Sequence, residues 1–233
     1  MSNSTGGIIW ETSYLLLSYL LSLPPLLTQP STTRHLDVGS GCGLIPLALN
    51  RTYNWPSVGS EIGGEVLDLL TSNVSLNLRS NNPDNNVKVQ QLDWTKFEKI
   101  EEGGEYDLVT GTDVIFRVDL VVPLLNVLSG MTKPITGMCY LCCQKRCPDS
   151  HEFFLEKLNE GGWFDSWEDV SEEVWGVVEW GRGVEGKVWR MRGGRGKREG
   201  GGKRKAEELE KMGKMGKKEK KEKKKKRRKE SET

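Results

Sequence analysis

The sequence predicts an α/β domain, a mainly parallel sheet with helices on both faces, followed by a disordered basic tail. Three observations predict it. Short apolar runs of strand length alternate with longer segments of helical period, the pattern of a sheet built by crossover helices. A glycine-rich turn, Gly39-Ser40-Gly41-Cys42-Gly43, separates the first such run from the next helix. Composition then changes abruptly at about Gly193, beyond which almost nothing apolar remains.

The elements follow in order. Residues 11–23 are rich in helix formers, and Pro24-Pro25 ends that helix. Residues 34–38 read as the first strand, 44–50 as the helix after the glycine turn, 57–61 as a second strand and 66–78 as a second crossover helix. The stretch 81–86, with Pro83, is a loop. Residues 87–92 are a third strand, separated by Glu101-Glu102-Gly103-Gly104 from a fourth at 106–111. A helix at 119–128 and a fifth strand at 135–143 follow. Asp149 is placed to cap the next helix with Glu152 as its capping-box partner, and Gly161-Gly162 stops it. Residues 163–170 and 187–192 read as two strands with no helix between them long enough for a crossover, hence an antiparallel pair at the sheet edge.

Charge divides the chain as sharply as hydropathy does. Residues 1–180 carry 11 Lys+Arg against 24 Asp+Glu, a net of −13; residues 181–233 carry 23 against 9, a net of +14. The near-neutral total hides an acidic body and a basic tail, which bears on partners rather than fold. The tail from 193 cannot bury enough apolar surface to offset its ordering entropy. It suits nucleic acid, or the acidic body to which it is tethered, and its lysines at 203–229 are candidates for modification by the chain's own site. The five cysteines do not form a secreted disulfide framework. The C-x2-C-C-x3-C spacing from Cys139 to Cys147 fits no standard zinc pattern, so buried thiols and no metal are expected. The apolar stretch 14–23 is too short to span a bilayer and lacks a preceding basic region, so we read the protein as intracellular, soluble and free of membrane.

The glycine turn carries the sharpest chemistry. Backbone N–H groups at a helix N-terminus can approach a ligand closely when glycines leave the way open. A dinucleotide fingerprint requires G-x-G-x-x-G/A, and Leu44 stands at its last place. The tighter G-x-G-x-G suits a nucleoside joined to an amino acid, which needs no pyrophosphate grip. Glu61 closes the second strand 20 positions after Gly41, where an acid can accept both hydroxyls of a ribose. The bland alternatives are a tight turn with a surface acid, core aromatics at Trp10 and Trp94, and a turn-capping Asp113.

Several blocks together resemble the seven-strand protein lysine methyltransferases that act on non-histone substrates. They are G-I-I-W-E-T-S-Y-L-L-L-S-Y-L at 7–20, H-L-D-V-G-S-G-C-G-L at 35–44, L-L-T-S-N-V-S-L-N at 69–77, L-D-W at 92–94, Y-D-L-V-T-G-T-D-V-I-F at 106–116, and C-Y-L-C-C-Q-K-R at 139–146 followed by E-F-F-L-E-K-L at 152–158. The resemblance covers nearly all of residues 7–192. It implies a Rossmann-like methyltransferase sheet of order 3-2-1-4-5-7-6 with the seventh strand antiparallel, and S-adenosyl-L-methionine as cofactor. Trp10 would lie over the cofactor's methionine end, and Gly39, Ser40 and Gly41 would line it with Asp37 behind. Glu61 would hold the ribose, Trp94 would pack beside the adenine, and Thr112 would touch the cofactor at the fourth strand's end. Asp113-Val114-Ile115-Phe116 matches the D-x-x-Y/F motif at the methyl-transfer site, making Asp113 and Phe116 the candidate catalytic pair. Family members usually carry Asp where Glu61 stands, often Tyr where Phe116 stands, and a segment ahead of the Trp10 block.

The resemblance further implies a monomeric protein-lysine methyltransferase of cytoplasm or nucleus, with a protein substrate such as an AAA ATPase or chaperone. The alternatives are a methyltransferase for another acceptor, histidine or a small molecule, and a non-catalytic adaptor whose tail binds nucleic acid. Residues 1–192 are expected to form the methyltransferase domain and 193–233 the tail.

Overall fold

The computed structural model describes residues 7–23, 32–78, 86–98 and 106–194. The chain divides into Met1–Lys197 and Arg198–Thr233, and the second unit lies outside the described residues, as do the prolines at 24 and 25, positions 81–85 and 101–104, and nearly all of the basic tail.

Helix α1 (Glu11–Ser22) precedes β1 (His35–Val38), α2 (Leu44–Tyr53), β2 (Ser57–Glu61), α3 (Glu65–Leu78) and β3 (Val87–Gln91). After a 3-10 turn at Trp94–Lys96 come β4 (Leu108–Thr112), α4 (Val118–Met131), β5 (Met138–Gln144) and α5 (Pro148–Glu160). The chain closes with β6 (Phe164–Asp169), α6 (Ser171–Val177), a second 3-10 turn and β7 (Gly186–Gly194). The seven strands form one sheet of order β3-β2-β1-β4-β5-β7-β6. β1 to β5 pair in parallel; β7 runs antiparallel to both β5 and β6. This is the sheet order the resemblance implies.

Strands buried on both faces read as nearly continuous apolar runs. β1 is buried at all four positions, yet half of it is polar. Leu36 and Val38 join the core under α4 and α5, whereas His35 and Asp37 alternate to the opposite side. There α1 and α2 cover the sheet with Leu15, Leu16, Leu20, Ile45 and Leu49, alongside Leu108 and Val188. Cys139, Cys142 and Cys143 are wholly buried in β5, where burial pushes their thiols up.

Three expectations need correction. Tyr106 forms only an isolated bridge to Thr132, and β4 begins at Leu108. β5 begins at Met138: Pro134 cannot donate to a ladder, and Ile135 turns left-handed with φ 65°. α5 is not capped by Asp149. Cys147 holds the N-cap position and Pro148 opens the first turn, where its fixed φ suits the helix and its missing N–H costs nothing. Glu152 pairs instead with Lys145 at 3.5 Å. The link between β6 and β7 holds a helix of seven residues, too short for a crossover, as expected. Val170, Val174 and Val178, four apart, bury one stripe, and Asp169 accepts the Ser171 N–H at 2.9 Å. The two strands are still antiparallel neighbours at the edge. No helix among the described residues is long and apolar enough to cross a membrane.

Candidate active site

The sheet order reverses between β1 and β4, and ligands of open α/β sheets bind outside the carboxyl ends of the strands at such a point. Everything needed for a site converges there.

The glycine turn leaves β1 at Val38 and enters α2 at Leu44. Gly39 has φ 68°, and a Cβ on it would lie 2.9 Å from Val114 Cγ1 and 3.5 Å from the Trp94 ring. Gly43 caps α2 at φ 85°, where a Cβ would meet Leu70 Cδ1 at 2.7 Å. Both positions disfavour a side chain by conformation, and at each the added atom would crowd a neighbouring side chain. Ser40 joins this turn to β2: its hydroxyl donates to the Asp37 carbonyl at 2.9 Å and accepts the Ser60 N–H at 2.9 Å. Glu61 completes the junction. Its Oε1 accepts the Gly41 N–H at 2.8 Å and its Oε2 the Ile62 N–H at 3.3 Å. Burial raises the Glu61 carboxyl, and the two N–H donors oppose that shift.

Beneath the turn runs a buried polar chain. Ser57 Oγ lies 3.3 Å from His35 Nδ1, His35 Nε2 lies 2.9 Å from Thr110 Oγ1, and Thr110 Oγ1 donates to Asp37 Oδ1 at 2.6 Å. A tautomer with the proton on Nε2 lets the ring donate to Thr110 and Thr110 donate to Asp37, while the Ser57 hydroxyl donates to the Trp55 carbonyl at 3.2 Å. Burial lowers His35 to about 3 and raises Asp37 to about 6, the latter opposed by the Thr110 bond. Asp37 thus stands behind the turn, outside the cavity.

At the end of β4, Thr112 Oγ1 is 2.8 Å from Ser13 Oγ of α1. Asp113 follows with φ 51°, uncommon for a residue other than glycine. Its Oδ2 accepts from Thr12 Oγ1 at 2.9 Å, its Oδ1 from the Gln144 N–H at 2.9 Å, and Arg146 Nη2 lies 3.5 Å away. The carboxylate, 11% exposed, therefore ties α1, β4 and β5 together, which goes beyond turn capping. Phe116 is 48% exposed and tilts against Trp94 with centroids 6.3 Å apart. Trp94 opens the short 3-10 turn capped by Asp93, whose carboxylate accepts the Thr95 N–H at 3.0 Å. Trp10, at the N-cap of α1, carries the Arg146 guanidinium 4.0 Å above its ring.

All nine candidates line one cavity of about 570 Å³: Trp10, Gly39, Ser40, Gly41, Glu61, Trp94, Thr112, Asp113 and Phe116. That volume is in the range of small-molecule sites. The wall also includes Ser13, Ile62, Gln144 and Arg146, which sequence reading did not single out. Arg146 sits just past a strand end whose partners lie far away in the chain, so no local pattern marks it.

The donor set fits S-adenosylmethionine. Glycine backbone and the Glu61 carboxylate would hold its nucleoside, with Trp94 and Ile62 offering apolar surface to the base. Glu61 and Asp93 supply carboxylates suited to a ligand that bears ribose hydroxyls and an ammonium group. Sheet order and cavity together define the seven-strand, S-adenosylmethionine-dependent methyltransferase class.

Comparison with known proteins agrees. Residues 1–161 match the lysine methyltransferase family, and the chain belongs to that family. The release factor glutamine methyltransferase of Agrobacterium fabrum is 29% identical over 115 residues, covering 49% of this chain; the chain spans only 37% of that relative's length. Among solved structures, the cyclase SpnF superposes with TM-score 0.53 at 15% identity, covering 81% of this chain and 83% of its own. Geranyl diphosphate C-methyltransferase from Streptomyces coelicolor A3(2), in complex with S-adenosyl-L-homocysteine, gives 0.50 at 13% identity, covering 79% and 76%. These two likenesses concern the fold, which serves more than one chemistry.

Proposed function

We propose that the protein is a protein-lysine N-methyltransferase for a non-histone protein, nearest within its family to the valosin-containing-protein lysine methyltransferase. The observation that carries the reading is the meeting of nine residues from α1 and four strand ends in one cavity, with a carboxylate and an exposed aromatic ring at its acceptor end. The family match and the sequence blocks quoted above support the choice of lysine.

S-adenosylmethionine, when bound, supplies a sulfonium methyl that an amine lone pair displaces in line, the sulfur keeping the bonding pair. The chain's own residues provide positioning and exclusion of water. Glu61 holds the ribose while its bond to Gly41 keeps the turn in register. Trp94 and Ile62 flank the base, and Trp10 covers the methionine end. Phe116 forms an apolar wall for the acceptor side chain; lacking a hydroxyl, it makes no hydrogen bond to the amine. Asp113 spends three of its roughly four acceptor directions on Thr12, Gln144 and Arg146, and turns the remaining one to the acceptor amine. On the same reading the protein acts as a monomer in cytoplasm or nucleus, and its basic tail docks on the acidic body or on nucleic acid.

The test is incubation of the purified protein with radiolabelled cofactor and cell extract. A labelled protein band whose label is recovered as methyl-lysine, and which is absent with Asp113→Asn, supports the reading. Label in histidine or in a small molecule overturns the choice of acceptor. Mass spectrometry of the enzyme after the same incubation checks the lysines at 203–229, where methylation is expected.

A further inference from the structure

The sheet order serves as a ruler across the cleft. Neighbouring strands lie roughly 4.8 Å apart, so their carboxyl ends give a graded series of places. Trp94 follows β3, Glu61 ends β2, the glycine turn leaves β1, Thr112 ends β4, and Arg146 follows β5. If the nucleoside lies over β3 and β2 and the methionine over β1 and β4, the place over β5 belongs to the acceptor. Arg146 stands there, and it is the one cation among the described residues lining the cavity.

Its guanidinium is held from three sides. It stacks 4.0 Å over Trp10 and pairs with Asp113 at 3.5 Å. Its Nε donates to Gln144 Oε1 at 2.8 Å, and Nη2 donates to the same oxygen. That amide cannot turn away easily, because its Nε2 donates to the Val184 carbonyl at 2.6 Å. The side chain is nonetheless 41% exposed, so it is presented to the cleft rather than packed away. A long cation tied down by ring, carboxylate and fixed amide is built to stay where it is.

The chemistry of the acceptor explains why a cation should be fixed there. A lysine amine is protonated at neutral pH, and the protonated form has no lone pair to attack a methyl group. Asp113 alone would make matters worse, since a nearby carboxylate favours the ammonium. We propose that Arg146 is a positioning residue that offsets Asp113 and keeps the acceptor amine neutral, leaving Asp113 to orient it by accepting one N–H. The departing proton goes to water before transfer, and the methylated amine sheds a second one afterwards.

The other charged or titratable groups around this place are few. Glu11 of α1 lies 3.4 Å from Gln144 Nε2, Lys145 points to Glu152, Cys147 lines the rim, and His151 is buried beneath. Glu61 and Asp93 stand on the far wall. None of them supplies a second cation directed at the acceptor.

The inference rests on the methyltransferase reading, and its test needs no acceptor protein. Sinefungin carries an amine-bearing carbon where the cofactor carries its sulfur and transferable methyl; S-adenosylhomocysteine has a thioether sulfur there and no amine, and the titratable groups elsewhere are common to both. Calorimetry across pH 7 to 9 then isolates that one group. For the unaltered protein, sinefungin affinity relative to S-adenosylhomocysteine should rise about tenfold per pH unit, with proton release on binding. Arg146→Gln should flatten that rise to less than about threefold over the range, while Arg146→Lys keeps it. S-adenosylhomocysteine affinity, measured in both variants, is the reference against which each ratio is taken. A flat ratio in the unaltered protein, or the same rise in Arg146→Gln, overturns the proposal and leaves the function standing. Loss of S-adenosylhomocysteine binding in Arg146→Gln also overturns it, by assigning Arg146 to the cofactor. Failure of the unaltered protein to bind S-adenosylhomocysteine sinks the cofactor reading and this inference together.

Discussion

The Gly41 N–H donates to Glu61 Oε1 at 2.8 Å, so the acid proposed for the ribose also anchors the turn proposed for the rest of the cofactor. Two strands that are adjacent in the sheet but 20 residues apart in the chain meet in that bond. The first prediction follows from it.

Glu61→Gln retains an oxygen for the Gly41 N–H and loses the charge. Glu61→Ala loses both. S-adenosylhomocysteine binding by calorimetry should weaken about tenfold in the first and about a hundredfold in the second, since hydrogen bonds to a charged group contribute roughly 1.5–3 kcal/mol. Equal affinities in all three proteins would remove Glu61 from the site.

Gly39→Ala should cost both stability and binding. The φ of 68° disfavours any side chain, and the new methyl would meet Val114 at 2.9 Å. Urea unfolding should show a loss of about 1–3 kcal/mol, and the displaced turn should abolish measurable S-adenosylhomocysteine binding. Unchanged stability would show that the turn accommodates a Cβ.

Phe116→Ala separates catalysis from folding. Because Phe116 is 48% exposed, its truncation should alter stability by no more than about 0.5 kcal/mol. With the labelled protein of the extract assay as acceptor, kcat/KM should fall about tenfold. S-adenosylhomocysteine affinity should stay within about threefold, an expectation that the same calorimetry checks.

The pair beneath the glycine turn makes opposite demands on pH. His35 resists protonation until about 3, while an unfolded histidine takes its proton near 6.5. Its contribution is fully present above 6.5 and is lost as pH falls toward 3. Asp37 keeps its proton up to about 6, while an unfolded aspartate releases it near 3.8. Its contribution is present below 3.8 and is lost as pH rises through 6. Between 3.8 and 6 the unfolded chain holds one extra proton at His35 and the folded chain one at Asp37, so the two slopes cancel. Relative to the unaltered protein, His35→Gln should therefore gain stability as pH falls from 6 to 4. Asp37→Asn should lose it over the same interval, each by an amount on the order of 3 kcal/mol. Chemical denaturation at pH 4, 5 and 6 measures both; parallel curves for all three proteins would disprove the coupling.

Much of this architecture was legible in the sequence. The alternation of β1 to β5 with helices, the glycine spacing, and the acid closing β2 rest on periods and distances of a few residues to about 20, which neighbours in the chain specify. The strand boundary near Pro134 and the start of α5 at Pro148 differ from expectation because one proline outweighs several residues of favourable propensity. The short helix between β6 and β7 carries no plain signal in the sequence. α6 is only seven residues long, too short to show its period plainly, and it is held by burial of Val170, Val174 and Val178 against α1.

The layered fold, the glycine turn and Glu61 are legible from the sequence, because each strand carries its cavity-lining side chain at its own carboxyl terminus. The partners of Asp113 and Arg146 are set by the tertiary structure. Asp113 draws its partners from Thr12 and Gln144, 101 and 31 residues away, and Arg146 is stacked on Trp10 from the far end of the domain. Contacts over such separations come from the order in which the sheet places its strands, and no local pattern of residue types encodes them.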